Sequence, residues 1–377
     1  MNILPVNTSN TNFNGYDAIR LRGLYMQGLN SPAKKRIFNE MKEICKKEGL
    51  DLFINQNNTR ISRAIDESVK SDPLLSIWAQ DRKAFIKKNG TPTILWHSCE
   101  KIFNKSELGP LSYYETEVAR NFPKGGNYFI GYNDNGEKWL MINSNSVYSE
   151  EAAKCFGDLP PVRELPRIFD VKPENIYYIN EFTRDLDESI RPVGYPYVLV
   201  NDYGEVLKNI EKLQEKFPNS SEIIEKLKKH ANTYYGNIGK KITENQIQSL
   251  EAFGFKPLRI GAHYEEGINF INALAFTNTN SKISYITNST KGSLPELEYL
   301  EKLFEEDLRV KMPDIGNIHF VSGKEKDNPT KRIIADTEFS FPSLGFKEDN
   351  AIMNILANNH GGIHCMTAEI PDFSSIK

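Results

Sequence analysis

Near its C-terminal end the chain carries a cysteine in the run Gly361-Gly362-Ile363-His364-Cys365-Met366-Thr367. A thiol in such a setting can act as the nucleophile of a covalent mechanism. The paired glycines let backbone approach a ligand closely and take conformations that other residues avoid. The plainer reading is a small buried thiol on a terminal strand. Carboxylates elsewhere supply candidate partners for it. Asp81 closes the apolar stretch Trp78-Ala79-Gln80-Asp81, where a strand would leave the core. Asp185 and Asp187 stand at i and i+2, so in a strand both face the same side. Arg191, in Arg191-Pro192, could neutralise that acidic pair. Taken alone, Asp81 reads as a strand-end turn residue, Asp185 and Asp187 as a solvent-facing or arginine-paired turn, and Lys124-Gly125-Gly126-Asn127 as a turn.

Composition narrows the classes of chemistry. The chain has 377 residues, enough for one large domain or two ordinary ones, with 39% hydrophobic and 26% charged content. A net charge of −3 gives no reason to expect nucleic acid or an anionic membrane as the main partner. No apolar run approaches the ~18 residues of a membrane span. The four cysteines, Cys45, Cys99, Cys155 and Cys365, are widely separated and show no CxxC pairing. Neither a disulfide framework nor a zinc knuckle is expected, and a reducing cytoplasm is the default compartment. The six histidines contain no HExxH or HxH pair, so no metal is indicated and no cofactor is expected. Residues 1–15 are rich in Asn, Thr and Ser and read as a disordered leader.

The elements that would position these groups alternate between strand and helix. Strands are expected over residues 18–26, 50–54, 84–87, 93–96, 176–179 and 195–200, with more strand between 73 and 81. Residues 127–132 and 138–143 form a hairpin about Asn133-Asp134-Asn135-Gly136. Ser31 and Pro32 open a helix over 31–47, whose Ile37, Met41 and Ile44 recur at helical spacing. Short helices are expected at 149–156 and 163–169. Residues 204–217, 221–230 and 243–253 read as a helical block with apolar stripes. Strands at 268–276 and 283–287 precede a helix over 294–308, with further strands near 318–321 and 332–335. A last helix over 349–358 leads to a strand carrying Cys365. The recurrent strand-strand-helix rhythm suggests structural modules.

In this order the motifs resemble the guanidine-modifying enzymes of the pentein superfamily. The carriers are the WxxD segment Trp78–Asp81, the GGN turn Gly125-Gly126-Asn127, the acidic segment Asp185-Leu186-Asp187 with Arg191-Pro192 after it, and the tail Gly361–Thr367. Ile268-Asn269-Phe270 is a soft match to the family's Asn-Phe strand. The tail is similar to that of agmatine deiminases, and Trp78–Asp81 to a segment of peptidylarginine deiminases. The resemblance implies an α/β fold, a five-bladed propeller of ββαβ modules, occupying residues 16–377 with 204–253 as a helical insertion. It implies a Cys-dependent hydrolase acting on agmatine, arginine or peptidyl arginine, with no cofactor. Asp81 and Asp187 would grip the guanidinium by charge-assisted hydrogen bonds. Cys365 would attack its carbon, and a covalent thiouronium would be hydrolysed to a ureido product. Trp78, Gly126, Asn127 and Arg191 would line the substrate site. The resemblance leaves the oligomeric state open, a homo-oligomer included.

Two positions depart from the family pattern. The family has a histidine two residues before the second aspartate, where this chain has Asp185, and a glutamate before GGN, where it has Lys124. Asp185, crowded by other carboxylates, could be held protonated as an acid. Alternatively His263, ahead of the Asn-Phe strand, could reach the axis. His364 is discounted, because adjacent strand residues point to opposite faces. An impaired member acting as a guanidine-binding or protein-interaction module, or an amidinotransferase, is the alternative.

Overall fold

The computed structural model describes residues 20–27, 32–55, 83–97, 111–119, 125–133, 136–148, 161–181, 185–236, 239–265, 267–323 and 362–376. The expectations at 1–15, 73–81, 149–156, 332–335 and 349–358, together with Trp78, Asp81 and Lys124, lie outside these residues.

β1 (Leu21–Gln27), α1 (Pro32–Glu48) and β2 (Asp51–Asn55) come first, then β3 (Lys83–Lys88), β4 (Thr91–His97) and β5 (Glu115–Ala119). β6 (Tyr128–Tyr132), β7 (Lys138–Asn143), α2 (Asn145–Tyr148), α3 (Pro161–Phe169) and β8 (Ile176–Ile179) follow. Next are β9 (Ile190–Pro192), β10 (Tyr197–Asn201), α4 (Tyr203–Lys216), α5 (Ser221–Tyr235), α6 (Gly239–Ala252) and β11 (Lys256–Ile260). The short strands β12 (His263–Glu265) and β13 (Ile268–Asn269) lead to β14 (Leu274–Thr277), β15 (Ile283–Asn288), α7 (Pro295–Lys311) and β16 (Ile318–Val321). Last come a one-turn helix, α8 (Ile363–Met366), and β17 (Thr367–Pro371).

Among the described residues, five three-stranded sheets repeat one plan. They are β17-β1-β2, β3-β4-β5, β6-β7-β8, β9-β10-β11 and β14-β15-β16. In each, the middle strand pairs antiparallel with one neighbour and parallel with the other. A parallel pair needs a crossover. The described parts of these crossovers contain α1, then α2 and α3, then α4 to α6, and then α7. β12 and β13 make a separate two-stranded sheet, and no described sheet closes on itself. The result is a mixed α/β fold.

The elements form where the sequence pattern requires them. Val198, Leu199 and Val200 of β10 are all buried, as expected of a middle strand covered on both faces. Ile37, Met41 and Ile44 bring one face of α1 into the core that also holds Leu300 and Phe304 of α7. The Asp202 side chain accepts from the Gly204 N–H at 2.7 Å and starts α4, whose Val206, Ile210 and Leu213 are buried. The helical block thus forms the crossover from β10 to β11. Among the described residues, no helix is long and apolar enough to cross a membrane.

Three local expectations are corrected. The strand expected over 268–276 is broken between Asn269 and Leu274. The Asn269 side-chain oxygen accepts from the N–H groups of Ile271 (3.0 Å) and Asn272 (3.2 Å), giving the backbone a partner other than a strand ladder. Asp187 lies in the 3-10 turn Leu186–Glu188, and Asp185 precedes that turn, so the pair is not on a strand. Cys365 sits within α8 and not on the strand that follows it.

Candidate functional site

Two asparagines, Asn288 at the end of β15 and Asn272 in the break between β13 and β14, hold the helical turn that carries the thiol. Asn288 Oδ1 accepts from the Ile363 N–H at 3.0 Å, and Asn272 Oδ1 accepts from the His364 N–H at 3.1 Å. Side-chain oxygens therefore satisfy donors at the start of α8 that have no intrahelical partner. Gly362 leaves room for this. A Cβ there would stand 2.5 Å from Asn288 Nδ2 and 2.8 Å from Asn272 Oδ1. At its other end, the Thr367 hydroxyl donates to the Ile363 carbonyl at 2.9 Å.

One carboxylate oxygen organises the centre. Asp187 Oδ2 receives Cys365 Sγ at 2.9 Å, His364 Nδ1 at 2.8 Å and Asn272 Nδ2 at 2.9 Å. Asn272 Nδ2 also lies 3.3 Å from Cys365 Sγ. All four side chains are buried, Asp187 completely. A desolvated carboxylate is costly unless donors surround it, and three donors converge here. Because α8 is helical, His364 and Cys365 both reach Asp187, which overturns the strand argument that discounted His364. The ionised carboxylate accepts, so the His364 Nδ1 carries the proton. Burial, with the nearby Arg191 charge adding to it, holds the His364 pKa well below its usual value, so the ring is neutral near pH 7. The other described thiol is different. Cys45 is pushed up to about 12 by burial and by Glu48, as befits an inert core cysteine.

The acidic segment and the GGN segment meet beside this centre. Gly125–Asn127 is itself a 3-10 turn, with all three residues buried. A Cβ on Gly126 would stand 2.9 Å from Asp185 Cβ and Oδ2, and 3.0 Å from Asp187 Oδ1. Asn127 Nδ2 donates to Asp185 Oδ1 at 2.7 Å, while Asn127 Oδ1 accepts from Asn143 Nδ2 at 2.8 Å. The structure therefore brings Cys365, Asp185, Asp187, Gly126 and Asn127 together.

Arg191 and His263 stand one layer away. Arg191 Nη2 donates to Glu369 Oε1 at 2.5 Å, and its guanidinium lies 5.3 Å from the centre of the Phe129 ring. The same Phe129 ring has its centre 5.2 Å from that of the His364 ring. The expected pairing of Arg191 with the two aspartates is thus replaced by an ion pair across to β17. Arg191 Nε and Nη1 are buried without a hydrogen-bond partner among the described residues. His263 Nδ1 is 3.3 Å from the Glu188 carbonyl and 3.3 Å from Asn269 Nδ2, so it packs behind the turn that holds Asp187. Among the described residues, no group of three His, Cys, Asp or Glu side chains is arranged to hold a metal ion.

Asn272 is the site residue that the sequence reading missed. The signal was present: Asn269 and Asn272 interrupt an apolar run at a spacing of three, which a buried strand with a period of two does not accommodate.

No protein-family profile matches the chain, and no curated protein matches it. Solved structures do. An agmatine deiminase of C. jejuni has a TM-score of 0.49 at 15% identity, with 97% of this chain and 99% of that one covered. A candidate agmatine deiminase has a TM-score of 0.50 at 9% identity, with 95% of each chain covered. DDAH from Pseudomonas aeruginosa, a cysteine-to-serine mutant complexed with citrulline, has a TM-score of 0.44 at 10% identity, with 93% of this chain and 100% of that one covered. In fold, the chain is similar to the candidate agmatine deiminase.

Proposed function

We propose that the protein is a Cys-dependent hydrolase of a guanidinium substrate, a deiminase releasing ammonia and a ureido product. The observation that carries this reading is the buried thiol of Cys365 held 2.9 Å from the Asp187 carboxylate. A planar cation that takes Asp187 as its hydrogen-bond partner sets its central carbon beside Sγ. Cys365 attacks as thiolate, the C–N bond to the departing ammonia breaks, and water hydrolyses the S–C bond of the resulting thiouronium. Asp81, on Trp78–Asp81, is proposed as the second carboxylate on the guanidinium. In the same reading, the five repeated sheets are the blades of a five-bladed α/β propeller with the thiol at its axis, and residues 204–253 are an elaborated crossover.

One observation favours a second reading. Asp185 stands where the family has its acid–base histidine, and its Oδ1 is engaged by Asn127 at 2.7 Å. A chain whose acid–base position is so occupied can form the covalent adduct and stall, acting as a guanidine-binding module. Intact-mass spectrometry with a parallel ammonia assay, on agmatine, arginine and an arginine peptide, separates the two. Continuous ammonia release supports the hydrolase and identifies its substrate class; a stable adduct on Cys365 without ammonia turnover supports the module. Cys365→Ala is expected to bring turnover to background while guanidine binding persists. A variant that turns over normally would rule the covalent route out.

A further inference from the structure

The His364 ring reaches the shared carboxylate, and the residue also lines a cavity. On one side its Nδ1 donates to Asp187 Oδ2 at 2.8 Å, the oxygen that also receives Cys365 Sγ. On the other, the residue lines a cavity together with Lys83, Phe129 and Glu369. The sequence left the protein without a histidine at the expected acid–base position, and this ring enters the cluster from a different element.

We propose that His364 is a positioning residue for the thiol: through the shared Asp187 carboxylate it couples its own protonation to the ionisation of Cys365. Its use in turnover rests on the hydrolase reading above, but the coupling itself does not. The charged groups around His364 and the cavity it lines fix what the coupling involves. Asp187 comes from the turn before β9, Arg191 from β9, Lys83 from β3, Glu369 from β17, and Cys365 is its neighbour in α8. Arg191 is paired with Glu369, but its charge acts on the ring more strongly than that of Glu369, and with burial it keeps the ring neutral while Sγ holds its proton. With Nδ1–H committed to Asp187, a further proton can be taken up at Nε2. When Sγ–H loses its proton by way of solvent and Nε2 gains one, the net charge of the cluster is unchanged. Asp187 then lies between an imidazolium and a thiolate. A cation on the far side of the carboxylate offsets the repulsion that Asp187 exerts on the thiolate sulfur.

The test reads the thiol directly and needs no substrate. Iodoacetamide alkylation of Cys365 is followed by peptide mass mapping from pH 5 to 8.5, in the wild type and in His364→Asn and His364→Gln. An isolated thiol slows about tenfold for each pH unit below its pKa. The wild type is expected to slow by clearly less than that, flattening toward a plateau, and both variants to follow the tenfold slope. A tenfold slope in the wild type overturns the proposal even if neither variant folds, as do parallel curves for all three proteins. The two readings fail separately. Ammonia release with a tenfold wild-type slope keeps the hydrolase and removes the coupling, whereas a flattened slope without ammonia or adduct keeps the coupling and removes the hydrolase.

Discussion

Gly126 has no side chain because two carboxyl groups occupy the space that one would need. A methyl group there would meet Asp185 at 2.9 Å and Asp187 at 3.0 Å, both inside normal contact. Gly126→Ala must therefore displace the Leu186–Glu188 turn. The expected cost is about 1–3 kcal/mol of stability, as for overpacking at other tight sites. Alkylation of Cys365 and any ammonia release should both change, because the Sγ to Asp187 distance changes with the turn. Urea melts and alkylation rates measure the two effects. A variant as stable and as reactive as the wild type would mean that the turn relaxes freely. Much of this corner was legible in the sequence, since cysteine, aspartate and glycine carry distinct chemistry at any position. His364 was legible as a residue but not as a partner, because its direction depended on whether the tail was strand or helix. Asn272 depended on a break that alternation of apolar residues conceals.

That break is the element on which the site depends. β13 ends and β14 begins on either side of a bend held by Asn269 Oδ1, and the bend turns Asn272 toward Asp187 and the N-terminus of α8. The sequence gives strong apolar signals through Phe270, Ile271, Ala273, Leu274 and Phe276, which read as one continuous strand. Local side-chain to backbone bonds override that pattern at two positions. Asn269→Ala removes the acceptor for two buried N–H groups, at an expected cost of about 1–3 kcal/mol. It should also release Asn272 and so leave the start of α8 without one of its caps. The predicted signature is a combined loss: a lower denaturation midpoint together with altered Cys365 alkylation. Destabilisation with an unchanged alkylation profile would separate the bend from the site. The adjoining helical block, legible as helices from its apolar stripes, touches the same region through Gln246. This side chain donates to Glu181 at 3.1 Å and to Ser189 at 3.2 Å, at the two ends of the segment bearing Asp187.

At the scale of the whole molecule, the repeated sheet plan was visible in the sequence only as a rhythm. The pairings that complete it are distant: β17 supplies the antiparallel neighbour of β1, and no local pattern announces such a partner. A second distant tie links α1 to the sheet that holds β15 and β16. Glu48, buried at the end of α1, accepts from His319 Nε2 at 2.6 Å, Asn317 Nδ2 at 2.7 Å and the Ser284 hydroxyl at 2.6 Å. Burial pushes this carboxyl up, but the hydrogen bonds from His319, Ser284 and Asn317 outweigh it and hold the pKa below its ordinary value. A depressed carboxyl stabilises the fold above its unfolded pKa, and the contribution fades as pH falls through the folded value. Glu48→Gln keeps the shape and removes the charge, so it should cost about 2 kcal/mol near pH 7.5. The difference from the wild type should narrow as both proteins are melted at progressively lower pH toward 3, below the ordinary carboxylate range. Hydrogen exchange should rise in both α1 and β16, which this tie joins across 271 residues of sequence. A difference that stays constant from neutral pH into acid would assign the effect to packing, and exchange confined to α1 would show that Glu48 does not tie the two regions together.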